Sequence, residues 1–193
     1  NFPNNPTGYS PSKEEAKAIV EAVKEVAESG KKILVISDDA YFGLFYEEET
    51  EKESLFSFFC DAHENILAIK GDAATKEEMV WGFRIGFITY GGKALGKEEI
   101  DALEKKTLGA VRCTVSNCDR PGQSLLKRGM AGENYDKDKE YLFCTVGERY
   151  RVIRKTLEKY RDSKVLRPYP FNSGYFMAFD TMGRNAEELR LHL

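Results

Sequence analysis

The stretch "IKGDAATKEEMVWGFRIGF", residues 69–87, places a short apolar run, a loop of small residues and an aromatic-rich run one after another. Two lysines, Lys70 and Lys76, stand ahead of one arginine, Arg84. Lysine is common and usually solvated, so its surroundings must decide which of the two, if either, does chemistry. The run before Lys70 reads as the end of a buried strand and the run around Arg84 as the next strand. The loop between them therefore falls where open α/β sheets present ligand-binding groups, beyond the carboxyl ends of their strands.

Upstream, residues 10–29 read as a helix. Ser12 with Glu15 makes a capping box, and Pro11 suits a first-turn position. Ala16, Ile19, Val20, Val23, Val26 and Ala27 then form one apolar stripe that Gly30 ends. "KILVISDD", residues 32–39, is continuously apolar before its acids, the pattern of a strand buried on both faces. "SLFSFFCDA" (54–62) reads as a short helix, "NILAIK" (65–70) as a second buried strand and "FRIGFITYG" (83–91) as a third. Helix alternating with buried strand predicts an α/β fold with a mainly parallel sheet.

From residue 97 the texture becomes helical. "KEEIDALEKKTLGAVRCTV" and "PGQSLLKRGMAG" read as helices, and residues 136–163 as one long amphipathic helix. "FNSGYFMAFD" (171–180) reads as a strand, and "NAEELRLHL" begins another helix. A domain boundary is expected near residue 133, dividing residues 1–133 from 134–193. The chain opens inside a turn motif without methionine and stops in mid-helix, so it reads as a segment of a longer polypeptide.

Composition narrows the class. Of the 193 residues, 41% are hydrophobic and 12% aromatic, which suits a folded core. A net charge of −3 lacks the electrostatic footprint of a nucleic-acid binder, so none is expected as a partner. No apolar run approaches the roughly 20 residues of a membrane span, so no membrane partner is expected either. Nor does "NFPNNPTG" resemble a signal peptide, which makes the cytoplasm the expected compartment. The cysteines at 60, 113, 118 and 144 lack the spacing of a zinc set and read as free thiols; no metal is expected.

Three clusters fall at strand ends or in the loops after them. "NNPTG" (4–8) makes a tight turn in its own right. "SDDAY" (37–41) puts Asp38 and Asp39 after a buried strand, where a carboxylate needs a cation or donors, or serves as a cap. The third cluster is the opening stretch. Taken together, Asn5-Pro6-Thr7-Gly8, then Asp38-Asp39-Ala40-Tyr41, then Gly82-Phe83-Arg84-Ile85-Gly86 resemble the class I/II aminotransferases. These pyridoxal-phosphate enzymes of fold type I carry N-P-x-G, D-x-x-Y and, eight residues after a lysine, the arginine of G-x-R-x-G.

The resemblance implies the later half of a fold type I large domain, a three-layer α/β/α arrangement, followed by part of an α+β small domain. It also implies pyridoxal 5'-phosphate as cofactor. Eight residues before Arg84 stands Lys76, which matches the lysine that forms the aldimine and shuttles the substrate proton. Lys70 has no motif role and reads as structural. By the same resemblance Asp38 meets the pyridinium nitrogen, its spacing to Tyr41 selecting it over Asp39. Tyr41 and Asn5 meet the phenolic oxygen, and Arg84 offers its planar fork to the phosphate. Family members often have a cis bond before the motif proline, which makes Asn5-Pro6 a candidate.

Two features depart from the pattern. Ala73 stands where many members have a phosphate-binding serine, with Thr75 as the nearest substitute, and the acidic pair Glu77-Glu78 follows the lysine. The family's phosphate loop and ring-stacking aromatic precede N-P-x-G, and its substrate-carboxylate arginine lies beyond this chain. Arg190 reads as a helix-surface residue and not as that arginine. The implied activity is transfer of an amino group between an amino acid and a 2-oxo acid by a homodimer. A C-S lyase, a decarboxylase or a cofactor-sensing regulator domain would use the same residues. The isolated chain is expected to bind the cofactor poorly and to lack turnover.

Overall fold

A computed structural model describes residues 1–192. The first helix, α1 (Lys13–Glu28), starts where the sequence predicts: the Ser12 side chain accepts from the Glu15 backbone while the Glu15 carboxylate accepts from Ser12 N–H. Pro11 precedes the cap instead of occupying the first turn, so it directs the entering chain and not the helix itself. Then follow β1 (Ile33–Asp38), α2 (Leu55–Cys60), β2 (Ile66–Ala73), the single-turn α3 (Ala74–Glu77), a 3-10 turn (Trp81–Phe83) and β3 (Gly86–Gly91).

β1 pairs with β2 in parallel, Ile33 opposite Ile66 and Asp38 opposite Gly71. The α/β class stands, but β3 runs antiparallel to β2, with Ala73 opposite Gly86. Residues 74–85 fold into α3 and the 3-10 turn and come straight back without crossing the sheet, so β3 returns antiparallel.

One sheet face is covered. Ala27 of α1, Phe59 of α2 and Ile66 and Ala68 of β2 form the core, with Ile19, Val23, Ile33 and Val35 packed on it. The other face is open: Leu34 and Ile36 of β1 are 55% and 64% exposed. The expectation of strands buried on both faces is therefore not met within this chain. Successive strand residues point to opposite faces, so Ser37 shares the covered face with Ile33 and Val35, and Asp38 shares the open one with Leu34 and Ile36.

The helical part follows the sequence closely: α4 (Lys97–Thr114), α5 (Arg120–Met130) and the long α6 (Tyr135–Glu158). Asp119 caps α5, accepting from Gly122 N–H with proline in the first turn. The expected strand over 171–180 shrinks to β5 (Phe179–Asp180), paired antiparallel with β4 (Arg167–Pro168). The rest of that segment docks on the N-terminal turn, as described below. α7 (Ala186–His192) closes the described residues, and Arg190 pairs with Glu187 on its exposed surface, as expected. All four cysteines are free, Cys60 half-buried and the others exposed. No helix among the described residues is long and apolar enough to cross a membrane.

Candidate active site

The loop after β2 carries Lys76 on α3. Its ammonium lies over the Tyr41 ring, 5.4 Å from the centroid. Tyr41 is buried, and its hydroxyl accepts from Asn5 Nδ2 at 3.2 Å. Asn5 N–H in turn donates to Asn1 Oδ1 at 3.1 Å, and Asn1 Nδ2 donates to Asp38 Oδ2 at 3.0 Å. A chain of contacts thus runs from Lys76 through Tyr41, Asn5 and Asn1 to Asp38. Asn1 is the member the sequence reading missed, because it lies outside the N-P-x-G motif.

The two adjacent acids separate as strand geometry requires. Asp38 sits at the open face, where Ala40 N–H also donates to it at 3.3 Å. Asp39 is 6% exposed and turns into the core side, its nearest cation Lys70 Nζ at 3.7 Å. Burial pushes the Asp39 carboxyl above its ordinary range, against the pull of Ser54 and Lys70. Lys70 lies mid-strand rather than at the strand end that the sequence suggested. Opposite Ser37 in the register, it shares the helix-covered face and pairs with Asp72 at 3.1 Å. The two lysines of the opening stretch are therefore used differently: Lys70 is held by two carboxylates, and Lys76 makes no ion pair among the described residues.

Tyr41 is wedged by aromatic edges, Tyr175 at 5.5 Å and Phe176 at 5.3 Å between ring centroids. Burial, together with Tyr41 nearby, pushes the Tyr175 hydroxyl up to about 12. The Asn5-Pro6 bond is cis, as the motif suggested, and so is Phe2-Pro3. Arg84 ends the 3-10 turn in the left-handed region at φ 51°. It donates only to the Trp81 carbonyl, at 3.3 Å, so its charge is also unpaired among the described residues. Thr75 shares α3 with Lys76, and among the described residues no hydrogen bond or ion pair joins the Thr75 or Arg84 side chain to Lys76, Tyr41 or Asp38. Ala73 stands at the helix's N-cap position without a side-chain bond to offer.

The family model for aminotransferase class I and II matches residues 1–187. The chain belongs to that family. Its members are generally pyridoxal-phosphate-dependent and of fold type I, and similar solved structures are named as aminotransferases. An aminotransferase from Anaerococcus prevotii is similar over 92% of this chain and 42% of its own, with 25% identity and a TM-score of 0.73. The alanine aminotransferase of Pyrococcus furiosus matches at 24% identity and TM-score 0.68, over 95% of this chain and 42% of that one. A mutant aspartate aminotransferase of Thermus thermophilus gives 24% and 0.65, over 96% and 45%. The chain thus spans less than half the length of these relatives. No protein with a curated description matches it by sequence.

The residues present suit the family's cofactor by their chemistry. A phosphate needs a cation not already neutralised, and an aldehyde needs an amine that no carboxylate holds protonated; Arg84 and Lys76 are the two basic groups of this loop without an acidic partner among the described residues. A pyridine ring needs a carboxylate at one end and hydroxyl or amide donors at the other, which Asp38, Tyr41 and Asn5 supply.

Proposed function

We propose that this chain carries the lysine-bearing part of the cofactor site of an aminotransferase that moves an amino group between an amino acid and a 2-oxo acid. The observation that carries the reading is Lys76, unpaired over the Tyr41 ring and joined through Asn5 and Asn1 to Asp38. Residues 1–133 would form the cofactor domain and 134–193 the start of a second; the separate β4–β5 sheet supports that division. Homodimerisation comes into the proposal from the family resemblance alone.

Asn5, Asp38, Tyr41, Thr75, Lys76 and Arg84 would hold pyridoxal phosphate, which supplies a ring able to take up the negative charge left when a proton leaves the substrate's Cα. Lys76 Nζ, uncharged, would act as nucleophile and then as the base that carries that proton. Asp38, oriented by the Asn1 donor and the Ala40 N–H, would hold a proton on the ring nitrogen. Tyr41 would donate to the ring oxygen, with its aromatic neighbours fixing its plane and excluding water. Arg84 would offer parallel donors to the phosphate, and Thr75 a hydroxyl in place of the serine that Ala73 lacks.

The full-length polypeptide, mixed with pyridoxal phosphate, is expected to develop a visible absorbance band and a borohydride-reducible covalent link at Lys76. Lys76→Ala should lose both, and Lys70→Ala should keep both. The reverse pattern would sink the assignment. Conversion of the band by amino acids to the pyridoxamine form supports transamination, whereas release of ammonia or carbon dioxide instead would replace it with elimination or decarboxylation.

A further inference from the structure

The acidic pair after Lys76 is unusual, and the fold treats it in a specific way. Both oxygens of Glu78 are occupied from α6: Lys139 Nζ donates to Oε1 at 2.7 Å, and the Tyr135 hydroxyl donates to Oε2 at 2.6 Å. Lys139 also reaches Glu77 Oε1 at 3.5 Å and hydrogen-bonds the Tyr135 oxygen at 3.2 Å. The Glu78 side chain is only 10% exposed, whereas the outer side of the cluster, Lys139 and Glu77, is wetter. A carboxylate so enclosed must find a cation or take up a proton.

The carboxylates at the ends of β1 and β2 already have partners. Asp38 is bound by Asn1, and Asp39 and Asp72 are held by Lys70, while Arg84 brings no negative charge. Tyr41 lies under Lys76 with its hydroxyl on Asn5. Glu77 and Glu78, one and two positions after Lys76, are the carboxylates nearest to it along the chain.

We propose that Lys139 is a positioning residue for Lys76: by drawing Glu77 and Glu78 onto α6 it denies them to the Lys76 ammonium and leaves that amine free to lose its proton and react. The inference rests on the reading of Lys76 given under Proposed function. Burial works against the charge of Lys139, but the bonds to Glu78 and Tyr135 and the two carboxylates outweigh it and hold the group protonated well above its ordinary range. An amine with a carboxylate within about 4–6 Å keeps its proton more tightly by one or more pH units, and a protonated amine is no nucleophile.

The test uses the full-length apoprotein with pyridoxal phosphate as probe, following the rate of borohydride-trapped capture at Lys76 from pH 6 to 10. Lys139→Ala is expected to move the midpoint of this profile upward by about one unit, about tenfold slower capture at neutral pH. Lys139→Arg should stay near the wild-type profile. Adding Glu77→Gln and Glu78→Gln to Lys139→Ala should bring the midpoint back, which a purely structural role for Lys139 would not do. Tyr135→Phe, which leaves the Lys139 pairs in place, guards against a Lys139→Ala variant that does not fold; it should shift the midpoint by a smaller amount in the same direction. An unchanged midpoint in folded Lys139→Ala, or a shift that the two glutamines fail to reverse, overturns the inference. Capture that persists in Lys76→Ala is a separate result and overturns the reading beneath it.

Discussion

At the level of single residues, the two lysines show how far spacing alone reaches. The eight-residue step to Arg84 singles out Lys76, and D-x-x-Y singles out Asp38; the structure adds that alternate strand residues face opposite sides, which puts Lys70 and Asp39 together on the helix-covered face. Asn1 and Lys139 were not legible, the first lying outside any motif and the second meeting Glu78 from 61 positions away. If Lys70 is structural, Lys70→Met should lower stability by about 2 kcal/mol, since it leaves buried Asp39 and its neighbour Asp72 without their cation. Cofactor capture at Lys76 should survive. The pH dependence has a definite sign. Asp39 titrates above its ordinary 3.8 in the folded chain, so folding favours its protonated form. Its contribution is fully present below the unfolded value and is lost as pH rises through the folded one. Without Lys70 the folded value rises further, so the stability lost in the variant should grow as pH climbs from about 4. Chemical denaturation at several pH values reads this directly, and a loss independent of pH would count against the account.

Elements were legible where their signals are local. The Ser12–Glu15 box and the apolar stripe of α1 are short-range patterns, and both fall where the sequence puts them, save that Val26 of the stripe is exposed. The direction of β3 was not, because an apolar run says nothing of which way its neighbour runs. Nor was the fate of 171–177, whose partners lie at the far end of the chain. The Asn172 and Ser173 N–H groups both donate to the Gly8 carbonyl at 2.9 Å, and Ser173 bridges to Phe45. Ser10 N–H donates to Asn172 Oδ1 at 2.8 Å. This docking brings Tyr175 and Phe176 against Tyr41, so the N-P-x-G turn and the aromatic segment are one unit. Gly8 is its tightest point. It holds φ at +73°, and a Cβ there would stand 2.1 Å from the Phe176 carbonyl oxygen and 3.0 Å from that of Ser173. Both are backbone atoms that cannot step aside alone. Gly8→Ala should therefore cost about 3 kcal/mol or more and loosen Tyr41 along with the turn. A thermal melt within a degree or two of wild type, with unchanged tyrosine fluorescence, would refute it.

On the scale of the molecule, the sheet is three strands wide in the order β1-β2-β3, so two of its three strands are edges. One face carries α1 and α2; the other is left largely open, although Thr107 of α4 meets the Tyr90 hydroxyl of β3 there. On the uncovered side Leu34, Ile36 and Ile88 are more than half exposed, as is Phe87 on the opposite face of the β3 edge. Isolated apolar residues on a surface are ordinary, but several exposed aliphatic side chains on one face beside two unpaired strand edges invite association. The solved relatives are more than twice as long as the stretch they share with this chain. The 193-residue chain by itself should therefore bind a hydrophobic dye such as ANS in its native state and sediment as a growing share of oligomers with rising concentration. Ile36→Lys with Ile88→Lys should suppress both effects with little change in melting temperature, because each side chain is already mostly in water. The full-length polypeptide should show neither effect to the same degree. Dye binding unaltered by the paired lysines would place the sticky surface elsewhere, with the exposed Leu108 and Val115 of α4 the next face to test.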